Sequence, residues 1–118
     1  MRFLHENIKG GALTEATFYV LLSVYKPKHG YGIMKFVADM TSGRVILGAG
    51  TLYGIINVLE KKNWIERCIN PEDDRKKEYK ITETGNEIAL KELQRLEELC
   101  STAHCIIEGG DTYGNETV

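Results

Sequence analysis

Thr51, Tyr53, Asn57 and Lys61 fall on one side of a helical stretch, Gly48 to Lys62. Its other side carries Leu52, Ile55, Ile56 and Leu59 at i, i+3, i+4 and i+7. A solvated helix face usually fills with Glu and Lys. This one offers hydroxyls, an amide and one cation, the groups that hydrogen-bond phosphate oxygens and base edges. Ala49, Gly50 and Thr51 leave open N–H groups at the helix start, which suit one phosphate oxygen. Further along, Arg75, Lys76 and Lys77 end a polar turn and supply cations that can pair with phosphates.

Other reactive side chains carry less. Cys100 and His104 stand at i, i+4 and could chelate a metal, with Cys105 beside them. A complete site needs a third and fourth ligand, which only Cys68 or a partner chain could supply. The plainer reading, surface or core residues with no bound metal, is preferred. His5 and His29 have no acid or nucleophile at useful spacing, and no GxSxG, HExxH or Walker pattern occurs. Glu92, Glu97 and Glu98 read as solvated charge. An enzyme is not expected, and neither is a cofactor.

The 118 residues, 42% hydrophobic, fit one domain with an appended helix. So small a domain buries a limited share of its surface, and a second subunit would help it. The longest apolar run, Phe18 to Leu22, is too short to span a bilayer. Met1 to Glu6 contains no signal-peptide core, so a cytoplasmic protein with no membrane partner is expected. Three cysteines without CxxC spacing argue against a disulfide framework. The net charge of −2 hides an asymmetry: residues 1–82 hold thirteen Lys/Arg against nine Asp/Glu, while residues 83–118 hold two against eight. A basic module is joined to an acidic helix and tail.

These groups need elements to hold them. A first helix is expected from about Glu15 to Lys26, capped by Thr14 and stopped by Pro27. Leu13, Ala16, Val20 and Val24 form one stripe on it; Phe18, Leu22 and Tyr25 form a second. A helix apolar on both sides is usually buried on both sides, which leaves the second stripe for another subunit. His29-Gly30-Tyr31-Gly32 reads as a tight connection that uses glycine's tolerance of positive φ. A second helix runs to Met40, with Ile33, Val37 and Met40 inward, and Thr41-Ser42-Gly43 ends it. Arg44 to Leu47 is expected as a very short strand. The third helix is the polar-faced stretch, closed by Asn63 in the left-handed region. Trp64–Ile69 and Lys77–Thr82 are strands of a hairpin with a charged tip, a wing.

The last helix is expected over Glu83–Ile107, with Thr82 or Thr84 as cap. Ala89, Leu93, Leu96, Cys100, Ala103 and Ile107 recur at steps of 4, 3, 4, 3 and 4, a heptad seam. A helix of about 25 residues reaches about 37 Å and overshoots a small domain, so its seam should meet another chain. The domains are therefore read as 1–82, a winged helix-turn-helix; 83–107, a dimerisation helix; and 108–118, a flexible tail. The fold class is mainly α with a small β-wing.

In order, these segments resemble the PadR-like transcriptional regulators. The matching pieces are His29-Gly30-Tyr31-Gly32, Gly50-Thr51-Leu52-Tyr53, Leu59 to Ile65, and Arg75 to Gly85. The resemblance implies a homodimeric winged-helix repressor on a palindromic operator in double-stranded DNA. It implies that Thr51, Tyr53 and Asn57 enter the major groove, and that Arg75, Lys76 and Lys77 hold the wing to phosphate or the minor groove; Gly50 and Lys61 are counted with them as DNA-binding residues. It also implies relief of repression by a small aromatic or amphipathic effector near the dimer interface, placed here at Phe18, Leu22 and Tyr25. The dimer interface is expected to use Phe18, Leu22, Tyr25, Ala89, Leu93, Leu96, Cys100, Ala103 and Ile107. The chain departs from the family pattern at Gly54, where many relatives carry a larger residue, and at the acidic wing tip, Glu72, Asp73 and Asp74. Two alternatives stand beside this reading: a winged-helix protein-interaction module that does not bind DNA, and a metal- or thiol-responsive repressor.

Overall fold

The computed structural model describes residues 11–69 and 77–109. Among the described residues, four helices and three short strands follow in the order α1 (Glu15–Ser23), β1 (Lys28–His29), α2 (Gly30–Met40), α3 (Ala49–Lys61), β2 (Ile65–Ile69), β3 (Lys77–Ile81) and α4 (Glu83–Gly109). The strands form one antiparallel sheet ordered β1-β3-β2, with Arg67 opposite Tyr79 and His29 opposite Glu78.

Helix α1 starts where the Thr14 side chain accepts the Thr17 N–H, and it ends three residues earlier than expected. The chain before Pro27 is pulled out of the helix because Lys28 and His29 pair with β3. Lys28 then folds back, its Nζ donating to the Ser23 carbonyl at 2.8 Å and sitting 4.6 Å from the centre of the Phe36 ring. Burial lowers the pKa of that ammonium.

The connection at His29–Gly32 is not a positive-φ turn. Among the described residues only Ser42, Gly43 and Asn63 have positive φ. His29 instead caps α2, its Nδ1 accepting the Gly32 N–H at 3.2 Å. Gly30 is small for a packing reason: a methyl there would overlap the Tyr53 ring and hydroxyl. Met40 faces solvent rather than the core, and Val45 to Leu47 run on without forming a strand. Arg44 ties that loop back to Glu15 through two hydrogen bonds.

The core lies between α1, α2, α3 and the sheet. Val20, Leu21, Ile33, Leu52, Ile56 and Ile65 are among its most buried members. Two backbone bonds lock the wing base to it: the Ile81 N–H donates to the Val24 carbonyl, and the Thr82 N–H donates to the Trp64 carbonyl. Thr82 also starts α4, accepting the Gly85 N–H and donating to the Asn63 carbonyl.

The first turns of α4 belong to this same core. Gly85 sits against the Trp64 carbonyl so closely that a Cβ would overlap it and press on Ile81. Backbone cannot yield as a side-chain tip can. Gly85→Ala should therefore destabilise the fold by about 3 kcal/mol, read as a lower urea midpoint with an unchanged slope. Ala89, expected in the dimer seam, is 3% exposed inside its own chain and has no surface left for a partner.

Candidate nucleic-acid interface

Helix α3 opens without a side-chain cap. Gly48 is its N-cap, and the first intrahelical bond runs from the Leu52 N–H to the Gly48 carbonyl at 2.9 Å. The N–H groups of Ala49, Gly50 and Thr51 stand at this exposed end, where the helix dipole is positive. Leu52, Ile56 and Leu59 anchor the inner face. Gly50, Thr51, Tyr53, Gly54, Asn57 and Lys61 are all exposed, and no carboxylate belongs to the exposed face of this helix.

Tyr53 is 44% exposed, with its hydroxyl lying over Gly30 at the start of α2. The ring forms one wall of a polar cleft of about 400 Å³ between α3 and the sheet. His29, Gly30, Asn57, Arg67, Lys77 and Tyr79 complete the walls. Arg67 is a site residue that the sequence reading missed. Its signal was its place on a strand opposite Tyr79, on the side facing α3. Its Nε donates to Glu60 at 2.9 Å, and that pairing raises the Arg67 pKa. Burial pushes the Tyr79 phenol up, so it stays a neutral donor. Lys77 lines the cleft; Arg75, Lys76 and the acidic tip lie outside the described residues.

At Gly50 and Gly54 a Cβ would meet no atom within 4 Å. The fold gives no packing reason for glycine at either place. Gly54→Ala should raise helix stability by about 1 kcal/mol, which moves the melting temperature up by about 4 °C. If a duplex comes close to this backbone, the same change weakens DNA binding, so the two readouts move in opposite directions.

A second concave region lies between α1 and α4. It measures about 410 Å³ and is lined by Leu13, Phe18, Tyr19, Leu22, Leu96 and the Glu92–Arg95 pair, with Glu15 at its edge. Phe18 and Leu22 meet here, and Tyr25 does not; its hydroxyl donates to Asn86 Oδ1 at 2.6 Å. Glu92 is not solvated charge. It is 4% exposed, accepts two hydrogen bonds from Arg95 and a long one from the Leu13 N–H.

Beyond Glu92, α4 leaves the core. The helical face that buries Gly85, Ala89 and Glu92 continues as Leu96, Leu99, Ala103, Ile106 and Ile107. Leu99 is 56% exposed and Ile107 80%. Leu93 and Cys100 flank this face and are exposed too. His104 pairs with Glu108 at 2.9 Å, and Cys68, half-buried in β2, has its thiol pKa raised by burial. Among the described residues, no group of three or more His, Cys, Asp or Glu is arranged to hold a metal. No described helix is long and apolar enough to cross a membrane.

The model of the transcriptional regulator PadR-like family matches residues 18–92, well over half of the chain. The chain belongs to the PadR-like family. This PadR-like chain is therefore a DNA-binding transcriptional regulator of winged-helix type. Its fold is shared with solved structures. A PadR family regulator from Eggerthella lenta superposes with a TM-score of 0.66 at 22% identity, covering 90% of this chain and 89% of that one. A transcriptional regulator from Clostridium thermocellum gives 0.66 at 22%, covering 86% and 98%. A variant of MarR from Escherichia coli, complexed with operator DNA, gives 0.57 at 27%, covering 79% and 62%. No functionally curated protein is similar enough to count as a match.

Proposed function

We propose that this PadR-like regulator is a repressor that works as a homodimer on an inverted repeat in double-stranded DNA. The observation that carries the DNA contact is the exposed face of α3: polar, free of carboxylates, and bordered by a cleft holding two cations. A helix of this kind docks in the major groove with its N-terminal residues against base edges. Gly50, Thr51, Tyr53 and Asn57 take that place here, with Lys61 at the far end of the contact. Lys77, with Arg75 and Lys76, holds the wing to phosphate.

The dimer is supported by the exposed apolar length of α4. At 27 residues it is about 40 Å long, and beyond Glu92 it leaves Leu93, Leu99, Cys100, Ile106 and Ile107 exposed among the described residues, with Leu96 and Ala103 half-buried beside them. Residues 1–82 then read DNA, and residues 83–107 join the two copies. Phe18 and Leu22 extend the same surface across the α1–α4 cleft. That cleft also suits a small aromatic or amphipathic effector, whose leverage is its differential affinity for two dimer geometries.

Salt dependence tests the DNA contact. Three wing cations per protomer make six per dimer, so log K against log[salt] should fall with a slope of about −5. Tight binding with a flat salt response would remove the wing from the interface. No binding of any duplex would favour a protein-interaction module instead.

A further inference from the structure

Cys100, His104 and Glu108 follow one another along α4 at steps of four, so thiol, imidazole and carboxylate form one line on the helix surface. His104 Nδ1 lies 2.9 Å from Glu108 Oε2. A carboxylate only accepts, so Nδ1 carries a proton and the neutral ring keeps its lone pair on Nε2. A carboxylate behind an imidazole is the usual support of a metal-binding histidine. It fixes the tautomer and strengthens the other nitrogen as a ligand. Cys105 stands one residue past His104, about 100° round the helix, and takes no part.

One thiol and one imidazole do not complete a tetrahedral site. Cys68 does not join them: it lies in β2 opposite Glu78, and no described His, Cys, Asp or Glu makes up a group of three. A second copy supplies what is missing. Cys100 and His104 share a hollow of about 240 Å³ with Ala103, Ile107 and Glu108. Ala103 and Ile107 belong to the face that joins the copies, so joining covers the hollow. A two-fold dimer repeats every contact with the roles exchanged. If the two α4 helices run parallel, each seam residue meets its own copy. If they run antiparallel, the axis passes through the middle of the paired length, and the stretch from Leu93 to Ile107 is centred on residue 100. Both arrangements bring the two Cys100 thiols together, with each His104 one turn away.

We propose that the dimer binds one zinc ion on its axis, held by Cys100 Sγ and His104 Nε2 of each protomer. Two thiolates and two imidazoles are the soft and borderline donors that suit zinc, in a common structural set. Each thiol gives up its proton to solvent as the ion binds. The proposal rests on the homodimer reading above. The full site exists only in the joined state, so zinc favours the dimer and, through it, the paired grip on DNA.

Native mass spectrometry of the full chain with zinc chloride should show one ion per dimer, both in the wild type and in Cys105→Ser. Cys100→Ser and His104→Ala should bind none. Both side chains are exposed within one chain, so the metal-free variants should melt where the metal-free wild type does. Cobalt(II) in place of zinc should give the intense visible bands of a tetrahedral site and a thiolate charge-transfer band in the near ultraviolet. In sedimentation, free zinc at about a hundred times its dissociation constant should tighten the wild-type dimer about 100-fold and Cys100→Ser not at all. One ion per protomer, an ion retained by Cys100→Ser, or a dimer indifferent to zinc overturns the proposal and leaves the homodimer standing. A wild type that stays monomeric with and without zinc overturns the homodimer reading as well.

Discussion

Asn57→Ala should erase sequence preference while leaving general DNA binding nearly intact. Asn57 stands exposed in the middle of the polar face of α3, two turns from the open N-terminus. An amide can make paired hydrogen bonds to adenine in the major groove, worth about 1–3 kcal/mol of discrimination. A dimer loses that contact twice. The variant should bind a selected duplex at least about 30-fold more weakly than the wild type. Affinity for random-sequence duplex of the same length should hardly move, because phosphate contacts supply it. The melting temperature should stay level. Equal losses on both duplexes would mean that Asn57 reads no base.

Leu99→Glu combined with Ile107→Glu should split the dimer and cut DNA affinity far more deeply. Both side chains are exposed within one chain, so the protomer should fold as before. Two carboxylates introduced on each copy would be desolvated, and face one another, in the joined state. The variant should sediment as a monomer where the wild type is a dimer. Each winged domain would then hold a half-site alone. Losing the linked second contact should weaken binding by about 100-fold to 10,000-fold. A variant that stays dimeric would show that the outer half of α4 is not the joint.

Much of this was legible from residue spacing. The four helices and the wing hairpin followed from apolar periodicity and from caps at Thr14, Asn63 and Thr82. What the spacing hid were choices made by tertiary partners. Gly30 looked like a turn glycine, yet it is small because Tyr53 lies on it from a helix twenty-three residues away. The β1 strand is two residues long, too short for any alternation to show, and only its pairing with β3 defines it. Ala89 fits the heptad of α4 as well as Leu96 does. The same helical face serves its own core first and leaves it later, and a repeat carries no mark of where that change occurs.

Glu92 shows the opposite case. Its steps of three from Ala89 and four to Leu96 put it on the buried face, and Arg95 stands one turn on to pair with it. Charge alone made it look solvated. At the candidate interface, Thr51, Tyr53, Asn57 and Lys61 are exposed on one face as their spacing predicted. The cleft beside them joins residues from β1, α2, α3, β2 and β3, and only the fold brings those together.

Two copies joined through α4 should present two α3 helices to one duplex about one helical turn apart, about 34–36 Å. Sedimentation of the protein with inverted-repeat duplexes of graded half-site spacing measures this most directly. The expected result is two protomers per duplex and tightest binding when the half-sites lie about one turn apart. One protomer per duplex, or affinity indifferent to spacing, would contradict it.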